Sequence, residues 1–405
     1  MFMMHRSYIL VSVLVLIVGA IWYLQSYVSH PVSDTRLQKQ EIVLDGLAPL
    51  TCEAAGNCTS TNTTATTTAP SVVETKARQS AKQKQYPRAL ELSGIAGYIN
   101  THDGFRLSEV VGKKVVLIDF WTYSCINCQR TQPYLNAWYK KYKDAGLEIV
   151  GVHTPEFAFE KDRTNVAAAV EKFGITYPVV QDNDYQTWGA YGNRYWPRKY
   201  LVDIDGYIVY DHIGEGGYEE TEEKIQELLR ERSMALGQQM QPLSGTVATS
   251  VVVPTNGSEA ISVETYFGSS RNEFLSNGLR GVSGKYSFVL PDVSSAVSGA
   301  LYLGGTWNIT PEFAETVSAD SSVLFRYRAR DVFVVAESDG PVSLTVLRDG
   351  VPVGSFAGAD VGSGGNVVIR ASQLYHIIKE SDYSTHTLEL RINSPGVRLY
   401  TFTFG

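Results

Sequence analysis

Two cysteines, Cys125 and Cys128, directly follow the apolar run VVLIDFW at residues 115–121, and no other feature constrains the fold as strongly. A largely apolar run of this length is typical of a strand that is buried on both faces. After Cys128, apolar side chains recur at helical spacing, at Leu135, Trp138, Tyr139 and Tyr142. The sequence therefore predicts a buried strand, a tight turn and a helix that begins at the C-x-x-C motif.

Similar patterns continue on the C-terminal side of this motif. Residues 147–154 predict a second buried strand, and residues 166–173 predict a second helix that ends at Gly174. Two later apolar runs flank Asp205-Gly206, a strong hairpin signal, and a charged helix follows at residues 219–232. Strands that alternate with helices and end in a hairpin predict an α/β domain, which we assign to residues 91–236.

The last part of the chain, residues 261–405, has a different character, and residues 237–260 form a polar linker before it. Short runs of alternating apolar and polar residues, such as 324–330 and 386–392, are separated by Gly, Asp and Asn. No long helical pattern competes with them. We therefore expect an all-β antiparallel sandwich, jelly-roll-like in its arrangement.

The N-terminal segment predicts the location of the protein. Residues 8–24 are almost wholly apolar, Arg6 precedes them, and Trp22 and Tyr23 close the run as interface aromatics do. The run is longer than the roughly 7–15 apolar residues of a cleaved signal peptide. We therefore predict a transmembrane signal anchor at residues 1–28 and an extracytoplasmic remainder, with residues 29–90 as a disordered Thr/Ser-rich tether.

The placement of the two cysteines predicts thiol–disulfide chemistry. At a helix N-terminus the free N–H groups and the helix dipole favour a negatively charged thiolate, which is the attacking species. Cys125 is then the nucleophile that attacks a partner disulfide, and Cys128, one turn further along, resolves the mixed disulfide. A zinc site would need two more ligands. A purely structural disulfide this short would close almost no chain entropy.

Two further positions belong to the predicted site. Asp119 lies inside the apolar strand, where a lone carboxylate costs free energy unless it is neutral or paired. A buried acid there can exchange a proton with Cys128, although a purely local pairing of Asp119 is the alternative. Trp196-Pro197 precedes a predicted strand, and a cis bond there would let a backbone edge face the disulfide.

These motifs resemble a known family. The segment VVLIDFWTYSCINC resembles the thioredoxin active site, and GVHTPE together with WPRKYLVDIDG is similar to the TlpA/redoxin branch of that superfamily. Residues 93–405 resemble the extracytoplasmic C-terminal part of DipZ-type proteins, whose appended β-domain is similar to a carbohydrate-binding module. The resemblance implies a thioredoxin-like fold, a cis bond at Pro197 packed against the cysteines, and Asp119 as the buried acid.

The resemblance also implies a substrate groove, for which we expect the side chains of Trp121, Tyr123, His153, Glu156 and Trp196. One departure concerns the proton carrier, because Thr131 stands where TlpA-type reductases often carry Glu, so Asp119 would act alone or share the work with Glu156. DipZ-type proteins also have a multi-helix electron-transfer membrane domain. We therefore expect a separate membrane electron donor similar to DsbD or CcdA.

The expected partners are disulfides of exported proteins and the membrane. The net charge of −7 and the lack of a basic cluster argue against nucleic-acid binding, and we expect neither a cofactor nor a metal ion. Cys52 and Cys58 in the tether are expected to close a small structural disulfide.

Two alternative functions stay open. Thr122-x-x-Cys125 forms part of the motif of a redoxin-type peroxidase, but Ile118 stands where that motif has proline. The β-domain could instead be the main functional part, binding a surface glycan or protein while the redox domain is accessory. A glycan-stacking face would draw on four aromatic residues of that domain, Tyr266, Phe267, Tyr302 and Trp307.

Overall fold

The structure, a computed structural model, describes residues 72–239, 245–247 and 261–405. The predicted anchor, Cys52, Cys58 and most of the predicted linker lie outside these residues. The described residues all belong to one compact unit. Its helices are Val72–Gln83 (α1), Ile126–Tyr142 (α2), Arg163–Lys172 (α3), Gln186–Ala190 (α4) and Tyr218–Ala235 (α5), with short 3₁₀ turns at Leu107–Glu109, Ala158–Lys161, Val293–Ser295 and Gly354–Phe356.

A six-stranded sheet forms the centre of the first domain. Its strands are Gly97–Ile99 (β1), Val115–Trp121 (β2), Leu147–His153 (β3), Val179–Gln181 (β4), Arg198–Val202 (β5) and Ile208–Ile213 (β6). They lie side by side in the order β1-β4-β3-β2-β5-β6. The neighbours β2, β3 and β4 run parallel, and the other pairs are antiparallel. This arrangement is thioredoxin-like, as the resemblance implies.

The helix boundaries and the hairpin follow local sequence signals, which confirms these predictions. Helix α2 begins directly after Cys125, which is its N-cap residue. Helix α3 begins after Asp162, whose carboxylate accepts the backbone N–H of Thr164 at 2.7 Å, and Gly174 beyond its end has φ +64°. Between β5 and β6, Gly206 adopts φ +86°, a backbone conformation that glycine tolerates best.

Strand β2 divides two apolar cores, because successive side chains of a strand point to opposite faces. Val116, Ile118 and Phe120 pack on one face, and Leu117 and Trp121 pack on the other. The second face is covered by helix side chains, among them Leu135 and Trp138 of α2, Val166 and Val170 of α3, and Ile225 and Leu228 of α5. By this alternation Asp119 shares the face of Leu117 and Trp121, so it lies on the side where α2 packs.

The second domain is all-β. Its strands are Thr265–Tyr266 (β7), Gly284–Phe288 (β8), Leu301–Ile309 (β9), Ala314–Thr316 (β10), Ser321–Arg328 (β11), Asp331–Ser338 (β12), Val342–Arg348 (β13), Val351–Pro352 (β14), Asn366–Ile369 (β15), Gln373–Lys379 (β16), Thr385–Ile392 (β17) and Val397–Phe404 (β18). Nine of them follow one another in the order β14-β13-β17-β11-β9-β10-β18-β12-β16. The remaining strands β15, β7 and β8 pair with β13, β18 and β9.

These strands form one curled antiparallel sheet whose two halves are continuous, which confirms the prediction of an all-β antiparallel domain. Strand β9 belongs to both halves of the sheet. Its residues 301–304 pair with β11, and its residues 305–309 pair with β8. Gly305 has φ +82°, so the chain can turn at the point where the partners change. The two halves share one apolar core, which includes Phe325 and Phe402.

Helix α1 lies inside the segment predicted to be a disordered tether, and the structure departs from that prediction. Ion pairs hold the helix against the turn of the β5–β6 hairpin, although none of its own residues is buried. Arg78 pairs with Asp205 at 2.6 Å, and Lys82 pairs with Asp203 at 2.6 Å and with Glu231. The three carboxylates are close enough to one another to hold a metal ion, but each already pairs with Arg78 or Lys82.

Within the described ranges, no helix combines the length and the apolar character that crossing a bilayer requires.

Candidate active site

The two sulfur atoms lie at the start of α2, where the predicted strand, turn and helix meet. Cys125 is half-buried, whereas the side chain of Cys128 is only 1% exposed. Both are free thiols, and the Cys125 Sγ accepts the backbone N–H of Cys128 at 3.4 Å. Backbone N–H donors at a helix start stabilise a negative sulfur. The geometry therefore leaves the Cys125 sulfur accessible and shields the Cys128 thiol from solvent.

The loop before β5 closes over the dithiol. The Trp196–Pro197 peptide bond is cis, as the resemblance implies, and Pro197 is buried. The Cys125 Sγ lies 3.9 Å from the carbonyl oxygen of Trp196. The Trp196 indole donates its Nε1–H to the Thr154 carbonyl at 3.0 Å and packs on Trp188 with ring centroids 4.3 Å apart. A backbone edge therefore faces the reactive sulfur.

Asp119 lies completely buried beneath the cysteines. Burial raises the pKa of Asp119 to about 7, although the nearby positive charge of Lys199 opposes this rise. Burial also raises the pKa of the Cys128 thiol well above its usual value, and the neighbouring Cys125 adds to the rise. Neither carboxylate oxygen of Asp119 has a hydrogen-bond partner among the described residues. Asp119 is therefore placed to take a proton that Cys128 does not lose on its own near neutral pH.

Sequence reasoning missed Lys199, which lies directly opposite Asp119 in the antiparallel pairing of β2 and β5. Its side chain is fully buried, and its Nζ donates to the Gly214 carbonyl at 3.1 Å. Burial lowers the pKa of Lys199, while the charges of Asp119 and Cys128 oppose that change. A lysine inside an apolar strand was the available signal, because such a charge needs a buried partner.

Sequence reasoning also missed Glu160, a buried carboxylate that joins two loops of the site. One of its oxygens accepts the hydroxyl of Ser124 at 2.6 Å and the backbone N–H of the same residue at 3.2 Å. The other oxygen accepts the backbone N–H groups of Glu156 at 2.6 Å and Phe157 at 3.0 Å. Glu160 therefore ties the residue before Cys125 to the loop that follows β3.

Three of the predicted groove residues lie beneath the surface. Trp121 and His153 have no exposed area, and Tyr123 is 4% exposed. The His153 ring packs edge-on against Trp121 at 5.1 Å between centroids and stacks on Tyr123 at 5.7 Å. Burial lowers the pKa of His153 to about 3, so its ring is neutral at physiological pH. In this conformation these side chains support the floor of the site.

The other two predicted groove residues differ from each other. Trp196 is half-buried and lies beside the sulfur of Cys125, together with Pro197. Glu156 faces the β-domain instead, where it accepts hydrogen bonds from the Tyr266 hydroxyl at 2.9 Å and from Arg271 at 2.7 Å. Its carboxylate is therefore engaged away from Asp119.

The four aromatic residues considered for glycan stacking do not form an exposed face. Phe267 and Trp307 lie in the core of the β-domain, and Tyr302 is buried in a separate small cluster. Tyr266 is partly buried and is covered by the Arg271 guanidinium, 3.6 Å from its ring centroid. Their apolar area is used for packing.

Comparison with known proteins agrees with the division into two domains. Residues 90–211 match the AhpC/TSA family, and residues 262–405 match the family described as thioredoxin like C-terminal domain. The thiol-disulfide oxidoreductase ResA of Bacillus thuringiensis is 33% identical over 129 residues, which are 29% of this chain and 70% of ResA. A solved structure of a putative thiol:disulfide interchange protein DsbE from Chlorobium tepidum is 24% identical, covers 36% of this chain and 96% of its own, and has a TM-score of 0.31. The chain belongs to the thiol–disulfide oxidoreductases with a thioredoxin-like domain.

The chain is also similar to the protein DipZ of Mycobacterium tuberculosis and Mycobacterium bovis. Identity is 38% over 320 residues, which are 78% of this chain. The resemblance to DipZ-type proteins is therefore confirmed, and it extends beyond the thioredoxin-like domain. The chain spans 43% of the length of these DipZ proteins.

Proposed function

We propose that this protein is a membrane-anchored, extracytoplasmic oxidoreductase that reduces or isomerises disulfides of exported proteins through Cys125 and Cys128. The observation that carries this proposal is the half-exposed sulfur of Cys125 at the start of α2, above a buried Cys128. Asp119 beneath them supplies a buried base. The extracytoplasmic location rests on the predicted anchor at residues 1–28, and the similarity to DipZ supports it.

The reaction has two steps in which bonds and electrons balance. The Cys125 thiolate attacks one sulfur of the substrate disulfide, so a bond between Cys125 and the substrate forms and the first substrate thiolate leaves. Cys128 then gives its proton to Asp119 and attacks the Sγ of Cys125, which releases the second substrate thiolate. The substrate gains two electrons, and the enzyme is left with a disulfide between its two cysteines.

The oxidised enzyme needs two electrons before it can reduce another substrate. We infer that a separate membrane donor of the DsbD or CcdA kind supplies them by disulfide exchange with Cys125. Isomerisation needs no such donor, because the first thiolate that leaves can attack the mixed disulfide again. An assay with and without the electron donor therefore separates the two activities. Repeated reduction requires the donor, whereas isomerisation does not.

Trapping of the mixed disulfide tests the assignment of the two cysteines. A Cys128→Ser variant should retain exported proteins as covalent adducts through Cys125, because the resolving step is lost. A Cys125→Ser variant is the matched control and should trap none. If Cys128→Ser captures no partner and the native protein reduces no disulfide, the proposal fails.

The midpoint potential of the dithiol tests the direction of electron flow. A value of about −270 mV or lower suits a reductase, whereas a value of about −120 mV suits an oxidant. We expect the lower value. Burial disfavours the thiolate of Cys128, so the reduced state lacks the thiolate stabilisation that makes a dithiol oxidising.

A peroxidase is the second candidate function, favoured by the match of residues 90–211 to the AhpC/TSA family. Peroxide consumption that requires Cys125 but not a protein disulfide would support it. Disulfide reduction without peroxide consumption supports the oxidoreductase proposed above.

A further inference from the structure

The β-domain covers one side of the dithiol. Ile126, the residue after Cys125, is only 8% exposed although it occupies the first turn of a helix at the active site. It belongs to a buried apolar cluster with Phe157 of the first domain and with Phe333, Val335, Leu374 and Tyr400 of the β-domain. An apolar side chain next to the nucleophile would otherwise be available to a partner protein. Here it is used to bind the second domain.

Polar contacts extend this cover on both sides of Cys125. The Tyr123 hydroxyl donates to the Ser372 carbonyl at 3.0 Å. Further along α2, the Arg130 guanidinium lies above the Phe333 ring, 5.8 Å from its centroid. Tyr123 before the nucleophile and Ile126 after it are therefore both in contact with the β-domain.

The loop after β3 is attached as well, and this attachment is continuous with the active site. Glu156 pairs with Arg271 at 2.7 Å, and the Phe157 ring packs against Tyr400 with centroids 4.9 Å apart. The backbone of this loop is held by Glu160, which also holds Ser124 beside Cys125. A buried apolar cluster with an ion pair and tied loops restrains relative motion of the two domains.

The loop that carries Trp196 makes different contacts. The Trp196 side chain binds Thr154 and Trp188 of the first domain, and its carbonyl oxygen faces the Cys125 sulfur. The adjacent Tyr195 is 50% exposed. The open approach to the sulfur is therefore along the backbone edge at Trp196, opposite the covered Ile126.

We propose that the β-domain is a fixed wall of the substrate cleft and that it limits the enzyme to disulfides on extended, flexible protein segments entering from the Trp196 side. This inference rests on the proposed function. Even in a transient redox complex, a folded partner must place on the order of 500 Å² of its surface around Cys125, and the β-domain already occupies part of that area. An extended segment needs only a backbone edge and a reachable sulfur.

The test uses the full chain in its reduced form and three disulfide probes. The probes are an unstructured peptide with one disulfide, a folded protein with one surface disulfide of similar reduction potential, and oxidised glutathione. We measure the rate at which each probe oxidises the Cys125–Cys128 dithiol in a single turnover. The native chain should prefer the peptide over the folded protein by about tenfold or more.

Variants at the domain contact identify the cause of this preference. Phe333→Ala removes the ring that covers Ile126, and it should raise the rate of the folded protein relative to the peptide. Phe288→Ala is its matched control, because Phe288 is 8% exposed and Phe333 is 7% exposed, and Phe288 packs in the separate core of the β-domain. Arg271→Gln is a milder second variant, because it removes the pair with Glu156 and the guanidinium that covers the Tyr266 ring but leaves the apolar cluster in place. The exposed Arg326 provides its control as Arg326→Gln.

The outcomes separate this inference from the proposed function. Failure to oxidise the dithiol with any of the three probes would overturn the proposed function itself. Equal rates with the peptide and the folded protein would overturn the proposed wall but would not contradict the proposed oxidoreductase function. The wall is likewise overturned if Phe333→Ala and Arg271→Gln have the same ratio of peptide rate to folded-protein rate as their controls.

Discussion

At the scale of single residues, the site depends on opposite charges buried in neighbouring strands. Asp119 and Lys199 are paired across β2 and β5, and both are excluded from solvent. Each charge offsets part of the cost of burying the other, but burial still dominates both pKa values. The pair therefore holds Asp119 close to the point where it can both accept and return a proton near neutral pH.

We predict that Asp119→Asn slows release of the mixed disulfide by about 10²-fold. The pKa of Asp119 is about 7, so the carboxyl group is protonated below that pH and cannot accept the Cys128 proton. Release in the native protein should accordingly rise with pH through about 7, and the variant should lack this inflection. Rapid-quench analysis of the mixed disulfide measures both effects. An unchanged rate and pH profile would rule out Asp119 as the base.

Lys199→Met should move that inflection to higher pH, by about one unit or more. The positive charge of Lys199 lowers the pKa of Asp119, so its removal leaves burial unopposed. Lys140→Met, at an exposed position on α2, is the control for loss of a lysine. If Lys199 acts through Asp119, Lys199→Met should leave the release rate unchanged at every pH in an Asp119→Asn background. A changed rate there would mean that Lys199 acts by another route.

His153 predicts how the stability of the protein depends on pH. Burial keeps its pKa at about 3, below the ordinary value of 6.5, so between these values only the unfolded chain binds the proton. The contribution of His153 to stability is therefore fully present above about pH 6.5 and falls by about 1.4 kcal/mol for each pH unit between about 6.5 and 3. His153→Phe keeps a ring between Trp121 and Tyr123 and should remove about 2–3 kcal/mol of the loss between pH 6.5 and 4.5. Urea unfolding at the two pH values measures this, and an equal acid loss in both proteins would contradict it.

At the scale of elements, the position of Cys125 depends on a loop as well as on its helix. The start of α2 supplies backbone donors, but Glu160 in the loop after β3 holds Ser124 in place. Four donors converge on this one buried carboxylate. Burial raises the pKa of Glu160, and the bonds from Ser124 and Phe157 oppose that rise. The start of α2 and the loop after β3 are therefore held together through Glu160 beside Cys125.

Replacement of this carboxylate should affect both stability and chemistry. Glu160→Gln turns one acceptor oxygen into an amide donor, so at least one buried N–H or hydroxyl group loses its partner. We expect the free energy of unfolding to fall by about 1–3 kcal/mol and the alkylation rate of Cys125 to change with it. The exposed Glu171→Gln on α3 is the matched control. Native stability and reactivity in Glu160→Gln would show that Ser124 is held by other contacts.

At the scale of the whole molecule, the parts that the sequence predicts correctly depend on neighbouring residues. The strand, the C-x-x-C motif and the start of α2 are contiguous, and the hairpin at Gly206 depends on a single turn. Apolar periodicity and turn chemistry are sufficient for such features. The burial of Asp119 is predictable for the same reason, because a carboxylate inside an apolar run is visible without knowledge of the fold.

The features that the sequence does not reveal depend on long-range placement. Lys199 becomes the neighbour of Asp119 only through the pairing of β2 with β5. Glu156 follows a buried strand near the active site, yet the β-domain provides its partners. The curl of the second sheet depends on a change of partners at Gly305, which a strand pattern does not encode. Each case requires strand order or domain contact, which periodicity does not specify.

The burial of Ile126 also bears on how such sequences diverge. The two positions between the cysteines are under different constraints, because Ile126 packs against Phe333 and Tyr400 while Asn127 is half-exposed. Substitutions at residue 127 can change the reduction potential of the Cys125–Cys128 pair without disturbing the domain contact. A change at residue 126 requires compensation in the β-domain. In relatives that carry this second domain, residue 126 should therefore covary with residues 333 and 400, whereas relatives without it are free of that constraint.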